Sequence, residues 1–328
     1  MIRQFIEFTT PESSAVISDE APHPEPDEVL IEVHHAGVNR ADLLQRMGLY
    51  PPPEDASPIP GLEVSGVVVA AGSQCPDLQP GNRVCALTHG GGYASHAIAR
   101  ADHCLQLPDD MTTEQGAALP EALLTVWYNV FERGRLSAGE TVLIHGGSSG
   151  IGTIGVQMAE AMDATVISSA GSAERCSKVE QLGAAFVANY RDGDLLDQLS
   201  AAGYAGKIDV ILDIAGGDLM QANLDVAAPD GRIVCIGVMR GMQSEINLAT
   251  LFMKRLTLTG STLRRLETDE RARCFDAIRG QIWPHVLSGR IQPVVDTVYP
   301  LKNVLEAHEH MRLGTHFGKL LLDCRVAG

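Results

Sequence analysis

The chain has 328 residues, a hydrophobic fraction of 45% and a formal net charge of −16. A chain of this length exceeds one ordinary hydrophobic core and is sufficient for two domains that fold without disulfides or metals. The strong negative charge disfavours binding to nucleic acid, which depends on many contacts from Lys and Arg to phosphate. We therefore expect a globular protein of two domains with no nucleic-acid partner.

The cysteines and the first residues of the chain indicate its cellular location. Seven cysteines, an odd number at wide spacings, favour reduced thiols over a disulfide framework. Residues 1–8 alternate apolar and polar side chains as a strand does, and lack the apolar core of a secretory signal. No apolar run approaches the roughly 18 residues that a membrane helix needs. These features predict a cytoplasmic protein with no membrane association.

Short alternating segments dominate the first 110 residues. Residues 29–33 and 64–69 alternate as strands do, and clusters of Pro and Gly separate such segments. The prolines at 51–53 exclude a helix or a central strand there, because each ring fixes φ and removes a hydrogen-bond donor. This pattern predicts an antiparallel, barrel-like β domain.

Beyond residue 113 the pattern changes to apolar strands that alternate with helices. A helix interrupted by Pro120 is predicted over 114–130. The strands that follow are predicted over 141–145, 165–169, 210–214, 232–238 and 256–263. This alternation is typical of a doubly wound parallel sheet of the Rossmann type.

The end of the chain is predicted to return to the first domain. Amphipathic helices are predicted near 268–287 and 302–313, and a final strand over 319–323. We therefore predict an α/β protein in which a Rossmann domain, 122–264, is inserted into a mainly β domain. The two parts of that β domain are 1–121 and 265–328.

A glycine-rich turn follows the first strand of the predicted Rossmann sheet. Gly150, Gly152 and Gly155 form the pattern G-x-G-x-x-G between a strand and an apolar helix. The glycines permit a tight turn and a close approach to a pyrophosphate, while the helix N-terminus offers free N–H groups. The alternative is a structural turn that binds nothing, but glycines at this density cost backbone entropy. The motif therefore predicts a dinucleotide site.

The end of the second Rossmann strand predicts which dinucleotide is bound. NAD-binding domains usually carry an acidic residue there for the ribose 2′-hydroxyl. This chain has Ser172 instead, followed by Arg175, which is placed to meet a 2′-phosphate. One charge-assisted hydrogen bond of roughly 1.5–3 kcal/mol gives about a tenfold to hundredfold preference. Glu174 is the opposing feature, since its carboxylate suits the ribose of NAD, but we predict NADPH.

Four blocks of sequence resemble the zinc-free quinone oxidoreductases of the medium-chain dehydrogenase/reductase superfamily. They are GVNRADLLQRMGLYPPP (37–53), PGLEVSGVV (60–68), the glycine turn with AGSAER (170–175), and HFGKLLLD (316–323). The resemblance spans nearly the full chain and is closest to the tumour-suppressor-inducible type. It implies a GroES-like catalytic domain, a central Rossmann domain and an active site in the cleft between them.

The resemblance also implies roles for single residues. Asn39 and Tyr50 match the catalytic positions, and Thr125 a position near the cofactor phosphates. Ser149 departs from many relatives, which carry Gly there, and Arg175 stands where relatives usually carry Lys. With the 2′-phosphate pocket and the glycine turn included, the predicted cofactor-binding residues are Thr125, Gly147, Ser149, Gly150, Ile151, Gly152, Gly171, Ser172, Arg175, Tyr190, Gly237 and Leu263.

We expect a homodimer that binds no metal. Zinc relatives carry Gly-His-Glu where this chain has Leu62 in the middle position, and Asn39 stands near a Cys ligand of those relatives. His308 and His310 are predicted at the surface, because residues two apart on a helix face different ways. The resemblance implies a dimer through the last Rossmann strand, 256–263, which would cover an apolar edge.

Together these features predict NADPH-dependent reduction of a quinone, or another electrophilic acceptor, without a metal. A quinone accepts a hydride with little acid assistance, so no evident catalytic base is needed. The hydroxyl of Tyr50 is a candidate hydrogen-bond donor to the developing oxyanion. Two alternatives stay open: reduction of activated C=C bonds in enals or enones, and a dinucleotide-binding protein with little catalysis.

Overall fold

The structure, a computed structural model, describes residues 1–325, and their contacts divide the chain into two units. The first unit contains 1–122, 267–280 and 293–325, and the second contains 123–266 and 281–292. The predicted domain boundaries place 281–292 in the other domain. Within the second unit this segment is held by a hydrogen bond from the side chain of Gln157 to the carbonyl oxygen of Gln292 at 2.9 Å.

Strands form much of the first unit and the centre of the second. Within residues 1–325 they are β1 (Ile2–Thr10), β2 (Ser13–Glu20), β3 (Glu28–Val38), β4 (Glu63–Ala71), β5 (Arg83–Leu87), β6 (His96–Arg100), β7 (Cys104–Gln106), β8 (Thr141–Ile144), β9 (Thr165–Ala170), β10 (Phe186–Asn189), β11 (Ile208–Asp213), β12 (Ala227–Cys235), β13 (Thr257–Gly260), β14 (Val295–Pro300) and β15 (Lys319–Asp323). The predicted strand 319–323 has these bounds in the structure.

The α-helices in the same residues are mostly short. They are α1 (Arg40–Arg46), α2 (Thr113–Gly116), α3 (Pro120–Val126), α4 (Gly150–Ala161), α5 (Ala173–Gln181), α6 (Leu195–Ala201), α7 (Leu219–Val226), α8 (Leu248–Met253), α9 (Thr268–Gln281), α10 (Trp283–Leu287) and α11 (Val304–Leu313). Pro120 begins α3, where its missing N–H has no helical partner. Pro284 lies in the first turn of α10 and divides the helix predicted near 268–287. None of these helices combines the length and apolar character needed to span a bilayer.

A mainly antiparallel sheet organises the first unit. Its strand order is β14-β15-β3-β4-β5-β7, and β6 also pairs with β3. The central strand β3 pairs with β4 along one side and with β15 and β6 along the other. Ile31, Tyr93 and Leu322 are fully buried in the core that this sheet covers. The core therefore needs residues from both ends of the chain.

The second unit is built on a parallel sheet of order β10-β9-β8-β11-β12-β13. From β8 the chain winds to β9 and β10 on one side, and then to β11, β12 and β13 on the other, which is the doubly wound arrangement. Leu143, Ile167, Ile211 and Ile233 lie fully buried in its core. The predicted fold class, a Rossmann-type α/β unit inserted in a mainly β unit, is confirmed.

Three strands of the parallel sheet differ clearly from the prediction, and one of them, β12, begins at 227 instead of 232 and ends at 235 instead of 238. No strand is predicted over β10, because its sequence Phe-Val-Ala-Asn includes Ala and Asn, which are depleted in strands. The strand predicted over 256–263 is shorter, since residues 263–265 turn into a 3₁₀-helix. The remaining strand, β13, is the edge of the sheet, and Leu258 in it is exposed.

Gly66 tests how closely β3 and β4 pack. It lies opposite Val33, and a Cβ built on it would overlap the carbonyl oxygen of Glu32. We expect Gly66→Ala to lower the free energy of unfolding by about 1–3 kcal/mol, the range for overpacking. As a control, Gly280→Ala adds its methyl group to open space on α9, and we expect a gain of about 0.5–1 kcal/mol. Urea unfolding measures both, and equal stabilities would contradict this interpretation.

Candidate active site

The glycine-rich turn after β8 is tight and is stabilised by hydrogen bonds within the turn. Gly146 has a φ of 69°, in the left-handed region that favours glycine. Ser149 caps α4, and its hydroxyl oxygen accepts the N–H of Gly152 at 2.9 Å. A Cβ on Gly152 would overlap the carbonyl oxygen of Gly146. The N–H groups of Gly150 and Ile151 belong to the first helical turn, where no intrahelical acceptor exists and an anion binds favourably.

A buried polar network lies beneath this turn. The ring of His145 is 3.1 Å from the Ser169 hydroxyl through Nδ1, and 2.8 Å from Asn223 Oδ1 through Nε2. The Asn223 amide donates to Asp213 at 3.1 Å, and Asp213 also accepts the N–H of Gly216 at 3.0 Å. Burial lowers the pKa of His145, so the ring is neutral at pH 7. The network ties the ends of three neighbouring strands together.

The residues predicted to bind a 2′-phosphate surround the end of β9. Ser172 caps α5, and its hydroxyl oxygen accepts the N–H of Arg175 at 3.3 Å. A Cβ on Gly171 would overlap the hydroxyl of Tyr190, so the tyrosine lies directly against the glycine. Arg175 is half-buried and Tyr190 is 49% exposed. A cation, two hydroxyls and a bare backbone segment are thus gathered in one place.

Glu174, the residue that opposed the prediction of NADPH, is engaged elsewhere. Its carboxylate accepts a hydrogen bond from Lys178, one turn along α5, at 2.7 Å. That hydrogen bond holds the pKa of Glu174 below its usual range. Both side chains are largely exposed, which indicates a solvated surface pair.

Parallel strands bring most of the predicted cofactor residues to one edge of the sheet. The strand whose carboxyl end each follows is β8 for Gly147, Ser149, Gly150, Ile151 and Gly152, β9 for Gly171, Ser172 and Arg175, β10 for Tyr190, β12 for Gly237, and β13 for Leu263. The chain reverses its winding between β8 and β11, and ligands of doubly wound sheets bind at such a point. Thr125 is different, since it lies buried within α3.

In the first unit, Asn39 is the centre of a buried polar cluster. It caps α1, and its backbone N–H donates to the Asp42 carboxylate at 2.8 Å. Its side-chain oxygen accepts from the Lys319 ammonium at 2.6 Å, and its side-chain nitrogen donates to Glu63 at 2.9 Å. Asn39 is only 7% exposed.

Lys319 and Glu63 form a buried ion pair that sequence reasoning missed. The ammonium contacts Glu63 Oε1, and the other carboxylate oxygen accepts the N–H of Glu121 at 2.9 Å. Burial by itself lowers the pKa of Lys319, but Glu63, Glu121 and Asp42 together outweigh it and the pKa is raised. The lysine is therefore charged. The only sequence signal was a cation beginning the apolar strand β15, where polar residues are seldom buried without a partner.

Tyr50 follows α1 at the other end from Asn39. It is half-buried, and its backbone N–H donates to the carbonyl oxygen of Leu44 at 3.2 Å. Arg271 of α9 is close enough to interact with it electrostatically, and burial lowers the pKa of this arginine. The guanidinium also lies 3.3 Å from Nδ1 of His89. The two predicted catalytic residues thus flank one helix, with charged and polar groups beside each.

His308 contradicts the prediction of a surface histidine. Its side chain is fully buried, because α11 packs this face against the sheet of the first unit. Nε2 lies 3.1 Å from the hydroxyl of Tyr93, which donates to Asp42 at 3.0 Å. Among residues 1–325, Nδ1 has no hydrogen-bond partner. Burial, with the nearby charge of Arg46, lowers the pKa of His308 to about 3.

Comparison with sequence families defines the class of protein. Residues 25–109 match the family described as alcohol dehydrogenase GroES-like domain, and residues 150–278 match the one described as zinc-binding dehydrogenase. A GroES-like unit with an inserted doubly wound sheet is the architecture of a medium-chain dehydrogenase/reductase. The GroES-like part of the predicted fold class is therefore confirmed.

Individual relatives identify the family within this superfamily. The chain is similar to the quinone oxidoreductase of Mus musculus, with 33% identity over 98% of this chain and 96% of the mouse protein. The human quinone oxidoreductase is also 33% identical, over 96% of this chain and 95% of its own. The chain belongs to the quinone oxidoreductase family of this superfamily, as the resemblance implied. The resemblance to its tumour-suppressor-inducible type stays a prediction.

Solved structures agree with this membership. The quinone oxidoreductase of Escherichia coli, solved in complex with NADPH, has a TM-score of 0.85 and 29% identity. The match covers 98% of this chain and 100% of that one. The quinone oxidoreductase of Pseudomonas syringae gives a TM-score of 0.85 and 27% identity, with the same coverage.

The zinc in one family description does not fit the residues present. Leu62 offers no donor atom, and the cation beside Glu63 is the Lys319 ammonium. Across residues 1–325, no three His, Cys, Asp or Glu side chains are grouped so as to hold a metal ion. A carboxylate already neutralised by a buried ammonium is a poor ligand for a second cation.

His308 predicts a pH dependence of stability. Because its pKa is about 3 in the folded chain and about 6.5 when unfolded, the unfolded state binds the extra proton between these values. Above pH 6.5 the neutral ring of His308 leaves the free energy of unfolding unaffected by pH. As the pH falls below 6.5, the unfolded state gains a proton that the folded state resists, and the free energy of unfolding decreases. We expect His308→Phe to reduce the slope of unfolding free energy between pH 4 and 6 by about 1.4 kcal/mol per pH unit.

Urea unfolding at a series of pH values measures this slope. The exposed His23 supplies a control, since His23→Gln changes a ring that is in water in both states. A slope that stays the same in His308→Phe would show that the buried ring does not resist protonation.

Proposed function

We propose that this protein is an NADPH-dependent oxidoreductase that reduces quinones without a metal. The observation that carries the proposal is the carboxyl edge of the parallel sheet, where a glycine turn and a half-buried cation offer groups that suit a phosphorylated dinucleotide. Membership of the quinone oxidoreductase family supports the choice of acceptor.

The residues at this edge suit NADPH. Gly147, Gly152 and Gly171 each lie where a Cβ would overlap a neighbour, which leaves bare backbone for a pyrophosphate and a ribose. Arg175 supplies a charge for the 2′-phosphate, and Glu174 is held by Lys178 instead of opposing it. The Escherichia coli relative was solved with NADPH, as was a mycobacterial structure that is 26% identical with a TM-score of 0.85.

The chemistry asks little of the protein beyond binding and orientation. Bound NADPH supplies a hydride, two electrons with one hydrogen nucleus, that converts a quinone into a hydroquinone monoanion, and one proton from water completes the hydroquinone. In our proposal the amide of Asn39 and the hydroxyl of Tyr50 donate hydrogen bonds to the acceptor oxygens. Arg271, near Tyr50, adds positive charge where negative charge develops.

The proposal includes a homodimer joined through β13. This strand is the edge of its sheet, and the segment before it exposes a row of apolar side chains. They are Val238, Met239, Met242, Leu248, Phe252 and Met253. An exposed edge beside apolar surface is a hazard for aggregation unless a second copy covers it. We also propose a cytoplasmic protein that binds neither nucleic acid nor membrane.

Initial rates of cofactor oxidation distinguish the proposed function from its two alternatives. The metal-stripped protein is assayed for oxidation of NADPH and NADH with a panel of ortho- and para-quinones, enals and enones. We expect quinone turnover that chelators leave unchanged. Turnover with enals or enones alone would replace the proposed acceptor with activated C=C bonds. Tight NADPH binding without turnover would favour a dinucleotide-binding protein.

Arg175 determines the cofactor in this proposal. We expect Arg175→Ala to weaken NADPH binding about tenfold to hundredfold and to leave NADH binding nearly unchanged, because one charge-assisted hydrogen bond to the 2′-phosphate is lost. Fluorescence titration gives both dissociation constants. The exposed Lys207, in the loop before β11, supplies a control, since Lys207→Ala removes a charge elsewhere on the same unit. An unchanged ratio of the two affinities in Arg175→Ala would refute the role.

A further inference from the structure

The side-chain amide of Asn39 is held at both of its ends by opposite charges. Its oxygen accepts from the Lys319 ammonium at 2.6 Å, and its nitrogen donates to Glu63 Oε1 at 2.9 Å. Lys319 and Glu63 also contact each other, which closes a ring of three side chains. Asn39, Lys319 and Glu63 are 7%, 3% and 0% exposed, so water does not compete for these bonds.

This ring allows only one orientation of the amide. A half-turn of the Asn39 side chain would aim its NH₂ group at the ammonium and its oxygen at the carboxylate. Both contacts would be repulsive, and the low dielectric of a buried site strengthens the repulsion. A neutral pair of partners would discriminate less between the two orientations.

The main chain of Asn39 is fixed independently. Asp42 accepts the Asn39 N–H through Oδ2 at 2.8 Å and the Gly61 N–H through Oδ1 at 3.2 Å. Tyr93 donates to the same carboxylate at 3.0 Å. Removing the ion pair therefore releases the amide while these contacts to the backbone remain.

After these bonds are made, the amide nitrogen of Asn39 has one N–H left. The ammonium on the amide oxygen draws electron density from the nitrogen, which makes that N–H a stronger donor. Such a donor suits an acceptor oxygen that gains negative charge when a hydride is added to the molecule.

We propose that Lys319 is a positioning residue, which through the ion pair with Glu63 fixes Asn39 so that its remaining N–H is offered to a carbonyl oxygen of the acceptor. The inference rests on the proposed function, because it assumes an acceptor at Asn39. It assigns to two further residues, Lys319 and Glu63, an indirect role that acts through Asn39.

The test removes both charges together. Lys319→Met alone leaves the Glu63 carboxylate buried without a cation, which is strongly destabilising. The double variant Lys319→Met/Glu63→Gln is neutral and keeps the approximate volumes. We expect it to lower kcat/KM for quinones by about tenfold or more, since loss of one donor to an oxyanion costs about 10²–10³ in rate. The dissociation constant of NADPH should stay within about twofold of wild type.

The background of Asn39→Ala separates positioning from a general structural effect. With no amide to orient, the neutral pair should change kcat/KM less than twofold relative to Asn39→Ala itself. An equal fold-loss in both backgrounds would overturn the inference, because the ion pair would then act without Asn39. Lys319→Arg keeps the charge and should recover most of the activity.

A second ion pair provides the matched control. Arg232 and Glu140 lie 2.7 Å apart in the second unit and are partly buried. Arg232→Met/Glu140→Gln removes a comparable pair far along the chain from Asn39. We expect a lower thermal midpoint and an unchanged kcat/KM for quinones, so a loss of activity equal to that of the Lys319 variant would overturn the inference.

Hydrogen exchange of the Asn39 side-chain amide gives a readout that does not need turnover. In protein labelled with ¹⁵N-asparagine, the signal lost in Asn39→Ala identifies this amide. We expect it to be protected in wild type and in Lys319→Arg, and to exchange at least tenfold faster in the neutral pair. Unchanged protection would overturn the inference. If the wild type reduces no quinone, the proposed function fails, whereas exchange still decides whether Lys319 orients Asn39.

Discussion

The first unit depends on one buried charge being neutralised. Glu63 is fully buried, and a carboxylate in that position is stable only if a cation and hydrogen-bond donors reach it. Lys319 supplies the cation from the first residue of β15, and Asn39, 280 residues before it, shares both partners. Because β15 pairs with β3 and β3 with β4, the ion pair and the sheet register require one another. This is how the two ends of the chain come to form a single core.

The candidate groups of the two units are of different chemical kinds. At the parallel sheet the groups offered to a ligand are largely backbone N–H groups. The glycines expose them because they have no side chain. Around α1 the groups are side chains, held by buried charges and hydrogen bonds. Backbone sites depend on local conformation, whereas side-chain sites depend on partners elsewhere in the sequence. Substitutions far along the chain can therefore alter the second kind of site, as Lys319 illustrates for Asn39.

This contrast explains what the sequence could and could not reveal. The glycine turn, Ser172 and Arg175 were predicted because strand, turn and helix follow one another within a few residues. Their gathering at one sheet edge also follows from the alternation of strands and helices. Lys319 was not predicted, because its partners lie hundreds of residues away and nothing local marks a buried cation. His308 was predicted wrongly for the same reason, since only the packing of α11 shows which face is covered.

The chain order of the ion pair has a consequence for synthesis. The second unit is complete once residue 292 has been made, but the ammonium that neutralises Glu63 arrives only with residue 319. At about 5–20 residues per second, a growing chain passes through an interval of seconds in which the second unit is complete and the first is not. During that interval β3 and β4 lack the strand that completes their sheet. A nascent chain at this stage thus exposes the edge of β3 that β15 later covers.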